Sequence, residues 1–185
     1  MTRCLMTFLL GIALCSSVYA QNCNDRINAT TPIDRFVLNE DGTVTDSRSN
    51  LQWQRCPVGF GLDDNGTPSA LSDDRCTLVG TAIVNWQEAL QSAADLNAGG
   101  GSGGFADWRV PSLKELHSIV EFKCFGPAIN AALFPDTVGE LFWSSTTTNR
   151  IGTALALDFR NGSNTFSYMD ISGFRHYVRL VRGGN

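Results

Sequence analysis

Four cysteines lying downstream of an apolar N-terminal run, Cys23, Cys56, Cys76 and Cys124, most narrowly limit what this chain can fold into. The run, Cys4 to Cys15, is twelve residues long, short of the roughly 20 needed to cross a bilayer as a helix. Met1-Thr2-Arg3 places a positive charge ahead of it. Ser16-Ser17-Val18-Tyr19-Ala20 follows, with Val18 and Ala20 at the two positions a signal peptidase reads. The pattern predicts a signal peptide over 1–20, an N-terminal arm over 21–33 and one domain over 34–185. Leu14 is too bulky before Cys15 for lipoprotein processing. No later stretch is long and apolar enough for a membrane span, so the mature chain is expected to be exported (periplasmic, outer-surface or secreted) without membrane insertion.

Export exposes thiols to oxidation, and an even cysteine count then reads as two disulfides. Four cysteines allow three pairings. The expected one joins Cys56 to Cys76 around a loop rich in Gly, Asp and Asn, and Cys23 to Cys124, stapling the arm to the body. Each closure contributes about 3–5 kcal/mol in the chain-entropy account. Structural zinc needs close Cys or His pairs, and none of these cysteines has such a neighbour within five residues.

With 43% hydrophobic and 17% charged residues the chain is ordinary globular material, which excludes disorder, collagen and coiled coil. Short alternating segments predict strands at Phe36–Leu38, Thr43–Asp46 and Leu51–Gln54, the first two joined through Asp41-Gly42. Residues 57–75, crowded with Gly, Asp, Asn and Ser, predict an irregular loop. Asn85 with Glu88, and Ser112 with Glu115 behind Pro111, are capping boxes that open two helices. Trp86, Ala89, Leu90 and Ala93 form the buried stripe of the first, and Leu113, Leu116, Ile119 and Val120 that of the second. Five glycines among residues 99–104 predict a flexible tip; they follow a helix, not the strand a phosphate loop requires. Strands are expected again at 142–145, 154–159, 165–168 and 177–181. The class is α+β, one core, with two helices among short antiparallel strands.

The ordered blocks Gly42-Thr43-Val44-Thr45-Asp46, Asn50-Leu51-Gln52-Trp53, Asn85 to Leu90, Asp107-Trp108-Arg109-Val110-Pro111-Ser112-Leu113-Lys114-Glu115-Leu116, Phe142-Trp143-Ser144-Ser145-Thr146 and Tyr177 to Arg182 resemble the Lcl C-terminal domain family from about Asp34 onward. The resemblance implies a C-type-lectin-like fold, similar also to formylglycine-generating and sulfatase-modifying domains. It implies the exported or surface-exposed end of a bacterial protein. The family's namesake is a collagen-like adhesin whose terminal domain is associated with sulfated polysaccharide and host-surface binding. The glycine-rich tip here has no G-x-y period, so no collagen stalk, and no trimer through one, is implied.

A binding module for carbohydrate or for an envelope or surface protein is the leading expectation. Exposed aromatics against sugar faces, with a few polar anchors, supply the physics. The candidates are Trp143, Arg150, Arg160, Tyr168 and Arg175, with Trp143 also readable as core. Trp86, Asp107, Trp108, Arg109, Pro111, Ser112, Glu115 and Arg179 are assigned to the fold: the tryptophans as core anchors, Ser112 as a cap, and Arg109 and Arg179 as partners of Asp107 or Glu115. Residues 140–185 hold five Arg against three acids, and 21–139 hold 8 basic against 15 acidic side chains. This permits a basic patch near the C-terminus but not the footprint of a nucleic-acid binder.

An enzyme is the minority reading. No cysteine follows Cys124, so the C-terminal cysteine pair of formylglycine-generating enzymes is absent, and the histidines available as a catalytic base number two, His117 inside the second helix and His176 beside the terminal strand. No cofactor is expected. Asp63-Asp64-Asn65-Gly66 and Asp73-Asp74 offer oxygens to calcium without the helix-loop-helix spacing, and the sugar-binding triplets of calcium-dependent lectins are missing. A structural or assembly subunit of an envelope or pilus complex, docking through an edge strand, remains the alternative.

Overall fold

The computed structural model describes residues 21–67, 71–170 and 173–184; the expected signal peptide lies outside them. The strands are β1 (Asn22–Cys23), β2 (Phe36–Leu38), β3 (Thr43–Asp46), β4 (Leu51–Gln54), β5 (Phe60–Asp63), β6 (Arg75–Leu78), β7 (Cys124–Phe125), β8 (Leu141–Thr147), β9 (Thr153–Asp158), β10 (Ser163–Tyr168) and β11 (Val181–Gly183). The helices are α1 (Trp86–Ala98) and α2 (Leu113–Ser118). They build an antiparallel sheet in the order β11-β4-β3-β2, a second in the order β10-β9-β8, and the pairs β5-β6 and β1-β7. The class is α+β.

Local chemistry explains the first sheet and both helix starts. Gly42 turns the chain at φ +78°, a conformation that favours glycine, while Asp41 accepts the Thr43 N–H. Both capping boxes form: Asn85 accepts from the Glu88 N–H, Ser112 from the Glu115 N–H, and each glutamate reaches back to its cap. The buried stripe of α1 is narrower than its sequence suggests. Ala89 and Ala93 are buried but Leu90 is 37% exposed, because Trp86, Ala89, Ala93 and Leu96 lie on one line and Leu90 sits about 100° around from Ala89. Ile119 and Val120 lie beyond the last turn of α2 and are still fully buried.

The apolar interior has two parts. Trp53, Leu116, Phe134, Phe142 and Phe159 centre the first, between the four-stranded sheet, α2 and β9. Trp108, Trp143, Ala154, Ala156 and Val178 centre the second, with the small side chains of α1 against it. Disulfides join Cys23 to Cys124 and Cys56 to Cys76, 101 and 20 residues apart. Glu121 fastens the arm as well: one carboxylate oxygen accepts from the Thr30 N–H and the other from the Thr31 N–H and hydroxyl.

Three expectations need correction. Residues 57–75 are not wholly irregular: Phe60–Asp63 pairs with Arg75–Leu78, an alternation that the surrounding turn residues hide. The terminal strand is shorter than 177–181; Tyr177 and Val181 make single bridges, to Phe142 and Arg109, and regular pairing covers only Val181–Gly183. The glycine-rich tip is held in place. Gly101 donates its N–H to Leu96 O, and a Cβ on it would stand 1.8 Å from Phe105 O, so only glycine fits.

Candidate functional site

The motif residues are occupied with one another. Trp108, 2% exposed, donates its indole N–H to Ser102 O and its backbone N–H to Asn97. Arg109 grips Glu115 with both Nη atoms, at 2.9 and 2.7 Å, and the same carboxylate accepts the Ser112 N–H. Arg182 donates to Asp107 and Gln52, each at 2.6 Å, with its guanidinium 3.6 Å from the Phe105 ring centroid. Asp107, Arg109, Arg182 and Gln52 border a polar groove of about 540 Å³. Its charged groups are already satisfied, which suits a clamp that ties the chain's last strand to its middle.

Arg179 is paired with neither Asp107 nor Glu115. It is fully buried, donates to Gln54 O, Arg55 O and the Thr137 hydroxyl, and lies over the Phe134 ring. Burial first, and the neighbouring Arg55 charge second, push it below the usual arginine range. Arg55, 2% exposed, binds Asp74 at 2.5 Å and the carbonyls of Leu133 and Ala132. Of these two buried guanidiniums, Arg55 thus has a carboxylate partner and Arg179 has neutral acceptors alone.

The five proposed ligand residues do not converge. Trp143 is fully buried, donates its indole N–H to Val84 O and packs on His176; with no face open, it belongs to the core. Arg175 pairs with Glu88 at 2.8 Å. Arg160 faces Glu140 at 3.7 Å, at the far end of the β9–β10 hairpin from Arg150. The basic patch permitted by the charge count therefore does not form: ion pairs or burial take up Arg160, Arg175, Arg179 and Arg182. Among the described residues no carboxylate pairs with Arg150.

Arg150 and Tyr168 are connected through Phe166. Arg150 lies in the β8–β9 loop, and its guanidinium sits 4.3 Å from the centroid of Phe166 on β10. Phe166 and Tyr168 are two apart on one strand and so share a sheet face. Tyr168 packs edge-on against Phe174 at 5.3 Å. Phe166 and Phe174 are 44% and 38% exposed. The result is a cluster of three rings beside a cation with no carboxylate partner among the described residues, able to contact an apolar ring face and anchor an anionic group. Phe166 and Phe174 were not among the sequence candidates. The one signal for Phe166 is an aromatic side chain in a mostly polar strand; Phe174 lies outside the strands.

Reactive groups elsewhere are buried or already hydrogen-bonded. Ser167 Oγ lies 2.7 Å from His176 Nε2, yet Ser167 is 2% exposed, and no carboxylate bonds the imidazole among the described residues. Asp63 and Asp64 accept N–H groups of Asn65 and Gly66, and Asp73 accepts the Thr67 hydroxyl. Among the described residues no three His, Cys, Asp or Glu side chains gather in a metal-binding group.

The family model described as the Lcl C-terminal domain matches residues 42–182. No curated protein matches the chain.

Proposed function

The chain belongs to the Lcl C-terminal domain family, and we propose that it is an exported, non-catalytic binding module of C-type-lectin-like fold that recognises anionic carbohydrate. One observation carries this reading: Arg150, without a carboxylate partner among the described residues, lies over exposed Phe166 beside the Tyr168–Phe174 pair. A sugar ring stacks on such rings through its C–H face, and a sulfate or carboxylate on it meets the guanidinium. Two disulfides favour an oxidising compartment, and among the described residues no helix is long and apolar enough to cross a membrane. The seclusion of Ser167 and His176 favours binding over hydrolysis. Calcium has no part in this reading, because the loop carboxylates are engaged in their own turns.

A glycan array that includes sulfated polysaccharides, run with and without calcium at two salt concentrations, tests it. Binding should appear without calcium and weaken with salt. Replacing Arg150 by Ala should lower affinity roughly 10–100-fold, as expected for a charge-assisted hydrogen bond, while Arg160→Ala changes it little. Silence across the array, or full binding by the Arg150 variant, rules the reading out.

A further inference from the structure

We propose that β10 pairs edge to edge with β10 of a second copy of this chain, about a two-fold axis through Phe166. The fold closes two other sheet edges with its own backbone. Outside β8, Tyr177 exchanges bonds with Leu141 and Trp143; outside β11, Arg109 exchanges both of its bonds with Val181. β10 is the outermost strand of its sheet and six residues long, and Ser163, Asn164, Thr165 and Phe166 are all exposed.

The register shows which backbone groups are unused. Met169 donates to Gly152 O, and Phe159 to Glu140 O. These bonds set the phase of the antiparallel ladder: Ser163, Thr165 and Ser167 bond toward β9, while Asn164, Phe166 and Tyr168 turn N–H and C=O outward. Among the described residues no backbone group bonds to these outward groups, and Phe166 O accepts the Thr165 hydroxyl at 3.4 Å. Three outward residues spaced by two are self-complementary in an antiparallel pair. Phe166 then opposes Phe166 of the second copy and Asn164 opposes Tyr168, each exchanging both backbone bonds.

The side chains select this occupant over an unrelated strand. Ser163-Asn164-Thr165-Phe166-Ser167-Tyr168 contains no charge and no proline, the devices that keep a monomer's edge from pairing. Self-pairing therefore opposes no like charges within the strand and gains an aromatic cross-strand pair. The two Arg150 guanidiniums come onto one face beside the axis, so salt should tighten this dimer, the reverse of its effect on an anion held by the same arginine. A contact made chiefly by one strand falls below the ~800 Å² per partner of a standard interface, which makes the dimer weak. The inference does not depend on the carbohydrate reading.

Sedimentation of the oxidised protein from about 5 to about 500 µM, at two salt concentrations, tests the pairing. The mass should move from monomer toward dimer across that range, further at high salt. Phe166→Lys, and Asn164→Pro, which removes an outward N–H and no hydrogen bond to β9, should stay monomeric while their thermal transitions remain cooperative. Hydrogen exchange on the wild type gives a readout independent of the variants: the Asn164 and Phe166 amides should slow several-fold at the highest concentration. A monomer throughout with unchanged exchange, or a dimer that survives both substitutions, overturns the proposal.

Discussion

Replacing Asp74 by Asn removes the one carboxylate bonded to Arg55, beside Arg179. Arg55 and Asp74 are 2% and 1% exposed, Arg179 is fully buried, and the Arg55–Asp74 pair closes at 2.5 Å. Arg179 is already held by neutral acceptors alone. Without Asp74 both cations remain in the interior with no counter-charge, and breaking a buried pair from one side costs about 3–5 kcal/mol. For a domain of this size that lowers the melting temperature by roughly 6–20 °C. The neighbouring Asp73→Asn, on a half-buried side chain in an exposed loop hydrogen bond, should change stability by under ~0.5 kcal/mol. The double variant Arg55→Met with Asp74→Leu should recover part of the loss, since an apolar replacement leaves no stranded charge. Urea denaturation of the oxidised proteins at neutral pH reads all three. If Asp74→Asn unfolds within about 1 kcal/mol of wild type, or Asp73→Asn costs as much, the pair does not neutralise the interior as described.

Trp108→Ala should destabilise by about 3–5 kcal/mol, the range for a large core deletion, and an unchanged thermal midpoint would place this indole outside the interior. Acid should unfold the protein by way of identifiable groups. Burial opposes ionisation of Glu121 and Asp46, but the N–H donors of Thr30, Thr31 and Lys123 in the first case, and Arg35 and Ser49 in the second, hold both below the usual carboxylate range. Their contribution is complete above the unfolded carboxylate values and fades as pH falls toward the folded ones. Burial also lowers His176, so the unfolded chain takes up that proton first and stability begins to decline below about pH 6.5. Glu121→Gln should flatten the stability slope below about pH 4.5; an unchanged acid limb would acquit Glu121. Thiol labelling of the folded protein should find Cys23, Cys56, Cys76 and Cys124 unreactive until a reductant is added.

What could be read in the chain was what neighbours decide. The capping boxes of Asn85–Glu88 and Ser112–Glu115 involve residues three apart, and the Asp41-Gly42 turn is set by two, so each was visible without a fold. The motif order was visible too, and with it the family. The fate of the arginines was not, because the Arg175–Glu88 contact spans 87 residues and the Arg182–Asp107 contact 75. Charge counting assigns such side chains to a patch; folding pairs them off. Trp143 is core only because Val84, Ala156 and His176 surround it from remote parts of the chain. Phe166 is exposed although Phe174 and His176 pack on its strand neighbours Tyr168 and Ser167. The β5–β6 hairpin escaped notice because two four-residue strands are shorter than the turn-forming stretch between them.

The closing pairs of this fold lie far apart along the polypeptide. β11 meets β4 across contacts such as Arg182 to Gln52, 130 residues apart, and Cys23 awaits Cys124. Loops that long must lose their freedom before their contacts repay them, which makes folding slow for a domain of this size. A sheet whose β4 waits for β11 is completed only once the distal motif arrives.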